Sequence, residues 1–327
     1  MRKLYKIAGL TLFIAAIAPM PKTFSQEKEV ITKHVIVGLE KKTVENYGGF
    51  DECKMMLEKQ FIEVDFRLNN PDVFDFKIKS VIDTVFIFEG PMDSLARELP
   101  TRKYDIRIFY DAYTGGGGGW RGAPYFTVTH KWAHDRDKGP FEGDATYGIA
   151  HEYGHTMGMY DLYTLEIRPG FENNPVNGEA YKPIYSIMNI CYKNKFWDEL
   201  SVRIMNNNRY GQKVGGGFES PGFPEKMGIK VVDGNGKGVN GASFKLYPST
   251  RNRILAEPRI TNKTARNGEF TFSSNPFAGD RATASRLFLL EVDYKNKKYY
   301  TWMPINEPHL QSLKHPGEPL YWEVVVE

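Results

Sequence analysis

The chain has 327 residues, 41% of them hydrophobic and 25% charged, a composition of ordinary globular character in a length that suits two domains. Basic side chains number 43 against 40 acidic ones, a formal net charge of +3, which is too balanced for a nucleic-acid-binding surface. With only Cys53 and Cys191 present there is no disulfide framework; whether the two pair is left open, and stability must come from the core.

The N-terminus reads as a signal peptide over residues 1–25. Arg2, Lys3 and Lys6 precede an apolar stretch at 7–18, and Thr23 and Ser25 supply small residues before an expected cleavage site at Gln26. That stretch is shorter than the roughly 20 residues of a membrane span. The mature chain is therefore expected to be exported (periplasmic, cell-surface or extracellular), without a membrane span, and monomeric.

Residues 30–39 (VITKHVIVGL) alternate well enough for a first strand, and 50–67 place Met55, Met56, Gln60 and Val64 at helical spacing. Residues 74–88 read as a strand or hairpin, 93–99 as a short helix ended by Pro100, and 104–110 (YDIRIFY) as another strand. The five glycines at 115–119 mark either a mobile loop or a close backbone approach. Residues 125–132 (YFTVTHKW) then predict a strand and 144–159 a helix. A second helix is expected at 195–207, with Phe196, Leu200, Ile204 and Met205 on one stripe. This order predicts an α+β domain, a mixed twisted sheet with helices packed on it, over 26–210. Residues 211–224 are rich in Gly and Pro and read as a linker. Short alternating strands at 225–327 predict a small β-sandwich.

The stretch most informative about chemistry is 150–161, AHEYGHTMGMYD. His151 and His155 stand four apart, so a helix stacks both imidazoles on one face and lets two nitrogens converge on a single ion. Zinc takes such donors about 2.0–2.2 Å away and leaves a place for water. Glu152 follows the first His, where a general base acting on that water is needed. Gly158 stands where the helix must end and the chain turn, and Asp161, three residues on, can return a carboxylate to the metal. Glu166 lies close enough to compete for that place.

These residues resemble the metzincin clan of zinc peptidases, which share the helix, the Gly and a third ligand three residues past it. Most of the clan has His at that place. Asp161 is similar to the snapalysin type, and HEYGHTMGMYDLY also looks like immune inhibitor A-type peptidases. The resemblance extends to YSIMN at 185–189, where Met188 would form the hydrophobic floor of a Met-turn. It implies a zinc endopeptidase with one catalytic Zn2+, ligands His151, His155 and Asp161, base Glu152 and a protein or peptide substrate. It also implies an edge strand at 125–132 whose Tyr125, Phe126, Thr127 and Val128 pair with extended substrate, bordered by the glycine run. Tyr192 is an oxyanion-side candidate at a spacing of four from Met188, where the clan's spacing is two and Ile190 stands here.

His130 and His134, beside Asp135 and Asp137, read as alternation along a strand before they read as a second metal site. Additional Ca2+ or structural Zn2+ therefore has no support in the sequence. His34, His309 and His315 have no partner at ligand spacing. The turn-rich 225–327 segment resembles carboxypeptidase regulatory-like sandwiches, which carry no chemistry of their own. The alternative is an exported, non-catalytic binding or adhesion protein that keeps a zinc site, against which the intact Glu152 argues.

Overall fold

The computed structural model describes residues 27–90, 95, 103–111, 118–119, 125–129, 139–168, 180–191, 193–209, 222–250, 253–278 and 285–327, with the backbone alone at 118–119, 125–126 and 129. The expected signal peptide, nearly all of the 93–99 helix and most of the 211–224 linker lie outside these residues, as do Tyr192, His130 and His134. Among the described residues no helix is long and apolar enough to cross a membrane.

Strand β1 (Glu29–Glu40) carries the alternation read in the sequence only in its first half. From Val35 onward it pairs with β3 (Ile106–Asp111) as well as β2 (Phe76–Phe88), and there every residue is buried. The pleat sends Val35, Val37 and Leu39 with Ile106, Ile108 and Tyr110 into the main core. Phe109 points the other way and joins Phe86 and Phe88 in a smaller cluster. Gly38 lies beneath these rings; a Cβ there would stand 2.8 Å from Phe109. The sheet order is β2-β1-β3-β5-β4, parallel up to β5 (Tyr125–Thr129) and closed by the antiparallel β4 (Gly118–Gly119).

This last pairing differs from expectation. Gly118 and Gly119, with no side chains to hold them off, pair with Thr127 and Phe126, so the outermost strand is β4 and not β5. Thr127 and Val128 are moreover buried, and their side chains do not line an open edge.

Helix α1 (Lys41–Asn46) starts at Glu40, whose carboxylate accepts from the Lys42 amide. Helix α2 (Phe50–Asn69) lays Cys53, Leu57, Gln60, Phe61, Val64 and Leu68 on the sheet at intervals of three and four. Met55 of the expected stripe points to solvent instead. Helix α3 (Asp144–Thr156) packs on α2 and is buried nearly all round. Two polar tips inside this layer are paired: Tyr153 Oη lies 2.8 Å from Ser80 Oγ, and Tyr110 donates to Gln60 Oε1. After the short α4 (Ile187–Ile190), α5 (Glu199–Asn207) begins four residues later than expected. Asp198 caps it by accepting from Ser201 N and Oγ, which leaves Phe196 exposed outside the helix.

The remaining strands form two further sheets. One has the order β10 (Glu269–Thr271), β6 (Met227–Asp233), β13 (Leu320–Val326). The other has β12 (Lys297–Pro304), β11 (Leu287–Tyr294), β7 (Ser243–Thr250), β8 (Arg253–Ile254), with β9 (Ile260–Lys263) also on β7. They meet through Phe270 and Phe244, rings 4.9 Å apart, and through Phe277, which contacts Phe288 of one sheet and Trp322 of the other. Central β11 buries Glu291, whose carboxylate is met by Lys298 and Tyr300. Helix α6 (Asn306–Lys314), not foreseen in the sequence, joins β12 to β13.

The described chain is thus α+β at the level of its sheets and helices. Among the described residues the largest cluster of buried apolar side chains runs from Ile31 to Val326 and spans the first sheet and the two later ones. Cys53 is buried and Cys191 partly so, and no disulfide joins them. Ile108, fully buried in the central strand, should lose about 2–5 kcal/mol of stability as Ile108→Ala. Ile62→Ala on the solvent face of α2 should change it by less than about 0.5 kcal/mol, both read from urea unfolding midpoints.

Candidate metal centre

Helix α3 ends by a complete reversal at Gly158. Its amide donates to the His155 carbonyl, and the Met159 amide donates to the Gly154 carbonyl at 2.9 Å, the pair of bonds that defines a Schellman cap. Gly158 has φ +96, and a Cβ there would stand 2.5 Å from Asn208 Nδ2, so both the backbone angle and the space demand glycine. The turn returns the chain over the helix and brings Asp161 back to the histidines, as expected from the spacing.

The result is a triangle. His151 Nε2 and His155 Nε2 are 3.1 Å apart, and each is 3.1 Å from Asp161 Oδ1. His151 Nδ1 lies 2.7 Å from the Ile187 carbonyl and His155 Nδ1 2.9 Å from the Met159 carbonyl. A carbonyl only accepts, so both Nδ1 atoms donate, and both Nε2 lone pairs of the neutral rings face the centre. His151, His155 and Asp161 would hold a metal ion through these three atoms, a nitrogen and oxygen donor set of the kind that zinc accepts. Among the described residues, this is the group of His, Cys, Asp or Glu side chains able to hold a metal ion. Glu166, the expected competitor, is instead bound by Arg168 at 3.0 Å.

Glu152 is buried, with Oε2 4.0 Å from His155 Nε2. Met188 is fully buried against α3, its sulfur packed where a Cβ of Gly154 would be. Ser186 caps α4 by accepting from the Met188 amide, and the same short turn presents the Ile187 carbonyl to His151. The Tyr163 ring stacks along His151 with centroids 6.4 Å apart. Gly154, Tyr163 and the two carbonyls were not read from the sequence. A glycine between the two histidines was a visible signal for close packing, whereas backbone carbonyls have no residue signature.

Burial would lower the His155 pKa, but the Asp161 hydrogen bond and charge, the Glu152 charge and the Met159 carbonyl outweigh it and raise it to about 9. Burial would raise that of Asp161, but the hydrogen bonds and charges of the two imidazoles hold it well below the usual carboxylate range. Both shifts favour a proton held within this group in the metal-free protein, with which an ion would compete.

Compared with known proteins, the sequence matches no protein-family model, and no curated protein matches it.

Two outcomes follow from this geometry. Gly→Ala inside a helix ordinarily stabilises by about 1 kcal/mol. Gly154→Ala should instead destabilise by about 1–3 kcal/mol, because the methyl meets Met188, and adding Met188→Ala should recover part of the loss in thermal unfolding. His155 has a raised folded pKa, so in metal-free protein its contribution is complete below pH 6.5 and disappears as pH rises through about 9. Melting temperature of the chelated protein should fall over that window while zinc affinity rises; flat profiles for both would contradict the shared proton.

Proposed function

We propose that this protein is an exported zinc-dependent endopeptidase of the metzincin type, with a catalytic domain over 26–210 and an accessory β-sandwich over 225–327. The observation that carries the reading is the convergence of His151 Nε2, His155 Nε2 and Asp161 Oδ1 at 3.1 Å from one another, with the Glu152 carboxylate beside them. Two imidazoles and a carboxylate are a donor set suited to zinc, and three protein ligands with an open fourth place mark a catalytic rather than a closed structural site. When bound, the ion supplies Lewis acidity, polarising a scissile carbonyl and lowering the pKa of water.

The chain's own groups account for the rest. The Ile187 and Met159 carbonyls hold the imidazoles in the tautomer that donates Nε2 lone pairs. Glu152, held inside the site by α3, takes a proton from the attacking water and delivers it to the leaving amine. Met188 supports α3 from below through Gly154 and is no ligand itself. Because β4 is outermost in the sheet, an extended peptide would meet the glycine strand and not the backbone of Phe126 and Thr127.

The test is hydrolysis of a denatured protein by zinc-loaded wild type and Glu152→Gln. The substitution should lower kcat by about 10²- to 10⁴-fold and leave zinc stoichiometry at one, whereas His155→Ala should lose the ion itself. Equal cleavage by wild type and Glu152→Gln would refute the mechanism. Tight zinc binding without any hydrolysis would favour the non-catalytic alternative.

A further inference from the structure

The three ligands of the triangle are not held alike. His151 and His155 belong to α3 and are locked by main-chain carbonyls, but Asp161 lies outside regular helix, at the start of the single-turn helix Leu162–Leu165. Its side chain is about one quarter exposed, against less than one tenth for each histidine. Something other than local secondary structure must fix it.

Both flanks of Asp161 are held by residues from the C-terminal part of the chain, one on helix α6 and one just before β11. Before it, Tyr160 is buried and its Oη lies 3.2 Å from Nδ1 of fully buried His309 on α6. After it, Thr164 Oγ1 donates to the Asp161 carbonyl at 2.7 Å and accepts from Arg286 Nη1 at 2.8 Å. The hydroxyl has one proton and free lone pairs, so the two bonds are compatible and form a relay from Arg286 through Thr164 to the ligand's own peptide. Arg286 is itself anchored just before β11, its carbonyl accepting from the Ile305 amide.

We infer that Arg286 and Thr164 are positioning residues for the metal ligand Asp161, so that the C-terminal sandwich is a working part of the metal centre and not a detachable appendage. The inference rests on the metal-binding reading of the triangle, but not on peptidase activity. Groups that orient a ligand from behind typically contribute about 10- to 100-fold in metal affinity.

The experiment is zinc affinity of the full-length protein by chelator competition, with the visible spectrum of the cobalt(II) form as a second readout. Thr164→Val and Arg286→Met should each weaken zinc by about 10- to 100-fold, with Arg286→Lys recovering part of the loss. Their cobalt spectra should shift toward that of Asp161→Ala. In an Asp161→Ala background neither substitution should weaken zinc further, because the residue they act through is gone. Wild-type affinity in Thr164→Val and Arg286→Met would overturn the inference. So would an equal loss in the Asp161→Ala background, which marks a general loss of structure. If Arg286→Met does not fold, Thr164→Val, which removes one hydroxyl, decides alone. A wild type that binds zinc but cleaves nothing, with the variants weakened as expected, removes the peptidase reading and upholds this one; a wild type that binds no zinc removes both.

Discussion

Two hydrogen bonds from imidazole to main chain fix which atoms the His151, His155 and Asp161 group turns inward. Because His151 and His155 each give their Nδ1 proton to a carbonyl, their Nε2 lone pairs are forced to face one another at 3.1 Å. Two lone pairs that close repel unless a positive charge lies between them. The Asp161 carboxylate, with Glu152 nearby, raises the His155 pKa against burial, and the two imidazoles hold the Asp161 carboxyl low, so both shifts favour a proton there in metal-free protein. Such a group could hold a metal ion, and backbone geometry, not an excess of acidic residues, aims its donor atoms at one point.

The carbonyls that impose this arrangement come from two different places. Met159 belongs to the reversal that ends α3, where Gly158 at φ +96 supplies the backbone angle that other residues resist. Ile187 belongs to the short α4, held by the Ser186 cap on one side and by Met188 packed onto Gly154 on the other. A glycine in mid-helix normally weakens a helix. Here its missing side chain lets the sulfur of Met188 approach the helix between the two histidines. The floor of the site and the orientation of its ligands are therefore one packing unit.

Asp161 depends on longer-range structure. Its peptide is bonded by Thr164, Thr164 by Arg286, and the neighbouring Tyr160 by His309, so residues more than 100 positions later in the chain shape the turn. The largest buried cluster, from Ile31 to Val326, fits such coupling, since strain at one end of a close-packed core is transmitted and not absorbed.

Local rules were enough for much of this. The four-residue spacing of His151 and His155 implies one helical face, Gly158 implies the end of that helix, and alternating stretches mark β1 and β3, because each is a property of a few consecutive residues. The choice between Asp161 and Glu166 was open in the sequence. It was decided by the reversal at Gly158, which brings Asp161 Oδ1 to 3.1 Å from both imidazoles while Glu166 pairs with Arg168. The place of β5 inside β4 was likewise invisible, since sheet order is a matter of pairing between segments and glycines carry no pattern to declare it. The tautomers of the histidines, the fit of Met188 onto Gly154 and the Arg286 relay all involve backbone groups or partners distant in sequence. The sequence by itself determined which side chains can bind a metal; only the tertiary structure decided which of their atoms face it, because that depends on carbonyls and hydroxyls brought in from elsewhere in the chain.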